Sequence, residues 1–202
     1  SPFFLFAQLR KAEKSGDMKT LNNIMKNHPL FVPAANTLIG HYIKTDNRRA
    51  ALRITNRALR DKNINDYGRA FFLKSRAQIQ FAFGNLNSAQ RDLNEAVDIT
   101  FPDAEILSLQ AKIWALQNRE IENAYDYAMS LVKQNPSDVL AWDTLACVIR
   151  AREGVDAALE VLERVGEVSA TCSSLFEQLG DLYSEKKQND KARDAYLRAI
   201  EL

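Results

Sequence analysis

Few residues of this chain have the types and spacing that catalysis or metal binding requires. The two histidines, His28 and His41, have no second histidine or carboxylate at the helical spacing of a metal site. Cys147 and Cys172 belong to no Cys-x-x-Cys pair, so zinc binding and thiol redox chemistry are not indicated. The glycines are isolated and form no phosphate-binding loop. We predict that the chain is not an enzyme and has no metal or cofactor.

Structural roles explain the histidines and cysteines better than catalytic or metal-binding roles do. His28 precedes Pro29, an arrangement typical of a helix C-cap. Cys147 is expected on a helix face and Cys172 in a loop between repeats. Two thiols in 202 residues do not make a disulfide framework, which favours a reducing compartment. We therefore predict a cytoplasmic protein, while an anchor or targeting segment upstream of Ser1 stays open.

An arginine ladder is the second pattern with chemical meaning. Four arginines are spaced 4, 4 and 3 residues apart, which places them on one helix face: Arg49, Arg53, Arg57 and Arg60. Such a face could bind a nucleic-acid backbone, an anionic membrane surface or an acidic protein. A solvated face is the alternative, because repulsion between like charges one turn apart costs only roughly 0.2–0.5 kcal/mol per pair. We do not expect this face to recognise nucleic-acid bases, because the nearby aromatic residues form no stacking platform.

Composition and charge indicate a folded, helical chain with opposite charge on its two halves. Hydrophobic residues make up 46% and charged residues 26%, and only seven glycines and five prolines interrupt the chain. Residues 1–100 hold 16 Lys and Arg against 8 Asp and Glu, a net charge of +8. Residues 101–202 hold 11 against 18, a net charge of −7.

The apolar runs are too short to cross a membrane. None approaches the roughly 20 residues that a spanning helix needs. Residues 3–7, Phe-Phe-Leu-Phe-Ala, are expected to form the buried face of a first helix.

Small side chains recur along the chain at a near-constant interval. Five alanines lie 38, 35, 34 and 34 residues apart: Ala51, Ala89, Ala124, Ala158 and Ala192. Pro102 and Pro136 are also 34 residues apart. The clearest unit is the last, in which an aromatic-x2-Leu-Gly-x2-Tyr motif precedes an Ala-x3-aromatic-x2-Ala motif: Phe176, Leu179, Gly180, Tyr183, Ala192, Tyr196 and Ala199.

This pattern resembles the tetratricopeptide repeat. The resemblance implies an all-α, right-handed α-solenoid, or superhelix, of about six helix-turn-helix hairpins in a single domain, 1–202. Its approximate repeats are 2–31, 32–69, 70–104, 105–138, 139–172 and 173–202, and the match is most specific in the last. Turn signals at Gly16-Asp17 and Asp46-Asn47 support the first two.

The resemblance also implies a non-catalytic scaffold with a concave groove lined by the first helix of each hairpin. The implied groove residues are Phe71, Lys74, Gln78, Phe81, Leu109, Gln110, Ile113, Leu116, Leu140, Asp143, Thr144 and Cys147. The centre of this set is apolar, and an exposed apolar strip usually marks a docking site. We expect it to bind a peptide or helix of a partner protein through aliphatic or aromatic anchors. The alternative is that register drift buries several of these residues between repeats.

The last repeat finishes at Leu202 without a polar helix after it. Because a terminal repeat exposes its stacking face unless it is capped, we expect self-association through the C-terminal hairpin.

Overall fold

The protein is all-helical in a computed structural model that describes residues 2–136, 138–168 and 173–202. The described residues form twelve helices and no strand: α1 (Pro2–Ser15), α2 (Met18–Asn27), α3 (Val32–Lys44), α4 (Arg48–Leu59), α5 (Asp66–Ala82), α6 (Leu86–Ile99), α7 (Ala104–Leu116), α8 (Ile121–Gln134), α9 (Val139–Glu153), α10 (Val155–Val168), α11 (Ser173–Glu185) and α12 (Asn189–Glu201). Each of the six predicted repeats corresponds to two of these helices, but α5 and α7 begin before the predicted boundaries at residues 70 and 105. The predicted all-α fold of the α-solenoid class is confirmed, whereas the loop predicted around Cys172 lies outside the described residues.

The chain divides into two compact units, Ser1–Pro102 and Asp103–Leu202. Unit 1 holds α1–α6 and has the net charge of +8, and unit 2 holds α7–α12 and has the net charge of −7. The single domain expected from the sequence stays a prediction.

The turns between helices follow from local backbone chemistry. Gly16 has a φ of 65°, which glycine adopts without strain, and the Asp17 carboxylate then accepts the Thr20 backbone N–H at 3.0 Å to cap α2. Hydrogen bonds from Thr20 lower the pKa of Asp17. His28 is the C-cap of α2, with its N–H donated to the Ile24 carbonyl at 2.7 Å. The predicted turn and the predicted C-cap role are both confirmed.

The recurring alanines lie where helices meet. All five are 0–5% exposed: Ala51, Ala89, Ala124, Ala158 and Ala192. A methyl side chain lets two helix backbones approach closely, and larger neighbours such as Phe176 and Leu162 fill the spaces beside it. The interval found in the sequence is therefore the interval of a packing contact.

Within each unit, the first helices of successive hairpins contact one another. In unit 1 α3 contacts both α1 and α5, and in unit 2 α9 contacts both α7 and α11. The second helices pack mainly against the first helix of their own hairpin and of the next one. Each unit therefore has a first-helix face and a second-helix face, and these names are kept below.

The prediction that residues 3–7 form a buried face is wrong. Three phenylalanines are 86%, 63% and 46% exposed: Phe3, Phe4 and Phe6. Consecutive residues of an α-helix point in different directions, so a continuous run cannot share one face. The helix packs instead through residues spaced four and three apart: Leu5, Leu9 and Ala12.

The last hairpin contains the tightest approach between a glycine and a neighbouring helix. A Cβ atom added to Gly180 would lie 2.5 Å from the ring of Tyr196, closer than real contacts allow. That ring is held in place, because the Tyr196 hydroxyl donates a 2.6 Å hydrogen bond to Asp181. The same bond raises the pKa of Tyr196. By contrast, a Cβ atom on Gly40 of α3 would meet nothing within 4 Å.

The different surroundings of Gly180 and Gly40 predict opposite effects on stability when each is replaced by alanine. Gly180→Ala should lower the free energy of unfolding by about 1–3 kcal/mol, because the added methyl group overpacks the hairpin. Gly40→Ala should raise it by about 0.5–1 kcal/mol, because alanine loses less backbone entropy in a helix. Urea unfolding followed by circular dichroism measures both. Stabilisation by Gly180→Ala would contradict the close packing described here.

Candidate functional site

The first-helix face of unit 1 contains the α5 part of the predicted groove. Phe71, Lys74, Gln78 and Phe81 are all half-buried, and their spacing places them in one stripe along the helix. Tyr67 lies one turn before Phe71 in the same stripe and is 73% exposed. The prediction missed Tyr67 because it began this repeat at residue 70, whereas α5 begins at Asp66.

The two other first helices of unit 1 add accessible apolar groups. On α1, Phe3 and Phe6 are one turn apart, and the Phe6 ring contacts Phe31 edge-on with 5.1 Å between centroids. On α3, Ile43 is 39% exposed, and Gly40, one turn before it, leaves open space beside the helix. The predicted groove set contains no residue of either helix, and the first two repeats match the motif poorly.

A hydrogen bond joins α1 to α3 at this face. The Thr37 hydroxyl donates to Glu13 Oε1 at 2.6 Å, so polar contacts as well as the core position the two helices. The first-helix face of unit 1 is thus a set of three adjoining helices with partly exposed aromatic and aliphatic side chains.

Three predicted groove residues in unit 2 are buried, and their assignment to an accessible groove is wrong. Leu109 is 7% exposed, and Ile113 and Thr144 are 0% exposed. Leu109 and Ile113 are buried because α7 carries apolar residues on all sides, a pattern typical of a buried helix. Thr144 is buried with its polar atom satisfied, because its hydroxyl lies 2.7 Å from that of Ser108 and also donates to the Leu140 carbonyl.

The remaining groove residues of unit 2 are accessible to different extents. Gln110, Leu140 and Cys147 are half-buried, and Leu116 is 55% exposed. Cys147 lies on the face of α9, as predicted, and burial raises the pKa of its thiol, with Asp143 acting in the same direction. Because its pKa is raised, Cys147 stays protonated at neutral pH, and a protonated thiol is less nucleophilic than a thiolate.

Asp143 connects the three first helices of unit 2. Its carboxylate forms an ion pair with Lys112 of α7 and accepts a hydrogen bond from the Gln178 side chain of α11. The side chains of Asp143 and Lys112 are only 21% and 15% exposed. The groove prediction included Asp143 but missed Lys112 and Gln178, which are 31 and 35 residues away in the sequence. Asp143 therefore already has partners within the unit.

This network predicts that Asp143 contributes to stability. Asp143→Ala should lower the free energy of unfolding by about 1–3 kcal/mol, because Lys112 and Gln178 lose their partner in a half-buried place. Glu160→Ala is the matched control, since it breaks an exposed pair with Arg164 and should change stability by only about 0.5 kcal/mol. Chemical denaturation measures both variants, and equal effects would show that the network is not structural.

The second-helix face of unit 1 carries the arginine ladder on α4. Arg49, Arg53 and Arg57 are exposed, and Arg60 is the exposed C-cap residue of the helix. Arg53 and Arg57 line a cleft of about 430 Å³ between α4 and α2.

Two basic residues of α5, Arg69 and Arg76, are paired with carboxylates of α6 in their own hairpin. Arg76 makes two hydrogen bonds of 2.7 Å to Asp92, which raises the pKa of Arg76, and Arg69 pairs with Glu95 at 2.8 Å. The ladder differs, because no described carboxylate forms an ion pair with its four arginines. Four arginines without a described ion-pair partner are thus grouped along α4 and its C-cap.

Comparisons with known proteins agree with this architecture. Residues 173–202 match the family model described as the tetratricopeptide repeat. A tetratricopeptide repeat protein from Parabacteroides merdae is 18% identical with a TM-score of 0.65, covering 95% of this chain and 75% of that one. YrrB, described as a TPR protein with an unusual peptide-binding site, is 14% identical with a TM-score of 0.54, covering 90% and 91%. The repeat predicted from the sequence is confirmed, and the chain has the fold of tetratricopeptide repeat proteins.

One curated relative also matches. The protein STIP1 homolog of Dictyostelium discoideum is 31% identical over 93 residues, which are 43% of this chain. The match covers 16% of that protein, so the chain spans a small part of the relative's length.

None of the described helices is both long and apolar enough to cross a membrane. No group of three His, Cys, Asp or Glu side chains within the described ranges is placed to hold a metal ion.

Proposed function

We propose that the chain is a non-catalytic protein-interaction scaffold whose first-helix face in unit 1 binds an extended or helical segment of a partner protein. The observation that carries this proposal is the row of accessible apolar side chains on three adjoining helices. Stacked helical hairpins act through extended binding surfaces of this kind. The description of YrrB as a peptide-binding TPR protein supports the same class of function.

The side chains of this face suit a segment with aromatic or aliphatic anchors. Phe3, Phe6 and Ile43 are exposed, and Phe71 and Phe81 are half-buried, so each has apolar surface that a partner can cover. Burying one such side chain fully stabilises a complex by about 1.5–3 kcal/mol. Gly40 leaves room for the partner's own side chains between the outer helices.

In unit 2 a smaller set of groove residues stays in the proposal. Gln110, Leu116, Leu140 and Cys147 retain accessible surface on α7 and α9. Asp143 is a weaker candidate, because its carboxylate already joins Lys112 and Gln178.

Electrostatic binding through the Arg49–Arg60 face is the alternative function. It is favoured by the four exposed arginines without described acidic partners. Affinity for a nucleic-acid backbone or an anionic membrane falls steeply with added salt, whereas groove binding of an apolar anchor changes little. A salt titration therefore separates the two functions.

Self-association through the C-terminal hairpin also stays a proposal. Leu197 and Ile200 of α12 are 51% and 81% exposed, and they line a shallow depression with Tyr196. A second copy could cover this apolar surface. Association that increases with protein concentration in solution scattering would support it.

The first-helix proposal is tested by filling the open space at Gly40. Peptides selected from a random display library on the immobilised protein provide the ligands. Gly40→Trp should weaken their binding at least about tenfold, because the indole occupies the space a partner needs, whereas Gly40→Ala should change it little. Isothermal titration measures the affinities, and circular dichroism confirms that both variants are folded.

A second substitution makes the result specific to this face. Phe3→Ser changes a side chain that is 86% exposed, so it should weaken peptide binding without affecting stability. Selected peptides that bind Gly40→Trp and Phe3→Ser as tightly as the unchanged protein would place the binding surface elsewhere.

A further inference from the structure

The cleft between α2 and α4 of unit 1 combines four cations that the sequence does not place together. Arg53 and Arg57 come from α4, and Lys19 and Lys26 come from α2, about thirty residues earlier. Asn22 and Asn23 add amide groups between the two lysines. At about 430 Å³ the cleft is within the size range of ligand sites in proteins.

Hydrogen bonds hold the walls of this cleft in position. The Arg57 guanidinium donates to the Lys26 carbonyl oxygen at 2.9 Å, which fixes it against the end of α2. The Tyr42 hydroxyl donates to the Asn22 side-chain oxygen at 2.9 Å and so ties α3 to α2. A site held in place in this way loses less entropy when a ligand binds.

No carboxylate among the described residues neutralises the cleft. Asp17 is engaged in capping α2 through Thr20, and Asp46 forms its ion pair with Arg48 at 2.8 Å. Neither lines the cleft. The four cations therefore face the cleft without a carboxylate partner among the described residues.

We propose that this cleft binds an acidic segment of a partner polypeptide that carries apolar side chains between its carboxylates. The four cations are exposed to solvent, and a single exposed ion pair contributes little, so several carboxylates must act together. The remaining lining is apolar and matches apolar groups of the same segment: Met25, Pro29, Ala50 and Ile54. Guanidinium groups also suit carboxylates, because they form paired hydrogen bonds with them.

The shape of the cleft favours a polypeptide over the other polyanions. A flat anionic membrane can meet the exposed cations but not the apolar lining between the helices, because Met25 and Ala50 are each only 6% exposed. A nucleic-acid strand is commonly held by aromatic stacking as well as charge. The only aromatic side chain in the lining is Tyr42, whose hydroxyl is already bonded to Asn22. This site lies on the second-helix face and does not depend on the first-helix proposal.

The ladder itself provides the matched variants for a test. The double variant Arg53→Ala, Arg57→Ala removes two charges that line the cleft. The control double variant Arg49→Ala, Arg60→Ala removes the same charge from the same ladder but outside the lining. All four side chains are exposed, so both variants should remain folded.

The probes are three fluorescently labelled synthetic peptides of equal length: alternating Glu and Leu, alternating Gln and Leu, and alternating Glu and Ser. Fluorescence anisotropy should show the tightest binding for the Glu-Leu peptide, because only it supplies both carboxylates and apolar groups. The Arg53 and Arg57 variant should weaken that binding at least about tenfold, and the Arg49 and Arg60 variant much less. Lys19→Glu, on the opposite wall, should weaken it as well.

Four results would overturn the proposal. Absence of Glu-Leu binding, or equal binding of all three peptides, would show that the cleft does not recognise this chemistry. Equal losses in the two double variants would show that the ladder acts only as a general positive charge. Tighter binding of a single-stranded oligonucleotide or of phosphatidylserine vesicles, lost in the Arg53 and Arg57 variant, would assign the cleft to those ligands instead.

Discussion

Close contact between helix backbones at small residues is the constraint on which the rest of this structure depends. Ala51, Ala89, Ala124 and Ala158 are fully buried, and the ring of Tyr196 leaves no room for a side chain on Gly180. A hairpin of two helices buries little apolar surface alone, so its stability comes from packing against its neighbours. Because these contacts recur along the chain, each unit is a row of hairpins with two different faces.

The two faces of unit 1 offer different chemistry to a partner. The first helices contact one another and expose aromatic and aliphatic groups such as Phe3 and Ile43. The second helices α2 and α4 leave a cleft whose walls carry lysine and arginine. Under the two proposals, one face suits apolar anchors and the other suits carboxylates, so the two faces would bind different segments.

The sequence predicted the packing of this fold better than its accessible surface. Residues at packing contacts recur at a regular interval, so the alanine interval and the hairpins could be predicted from the sequence. The turn at Gly16-Asp17 could be predicted from its residue types. The accessibility of a side chain depends on the helices that pack around it. For this reason Ile113 of α7 was predicted to line the groove, although it is buried. The same limit hid the cleft that Lys19 and Arg53 both line and the partners of Asp143, since these residues are about 30 positions apart or more in the sequence.

The most direct test of this account is to enlarge the repeated alanines one at a time and to measure the free energy of unfolding. Leucine has nearly the helix propensity of alanine, so a loss of stability reports packing alone. Ala89→Leu and Ala124→Leu should each lower stability by about 1–3 kcal/mol, while Ala104→Leu and Ala151→Leu, at exposed positions, should change it little. Equal effects at buried and exposed alanines would contradict the claim that close helix contact at these positions builds the fold.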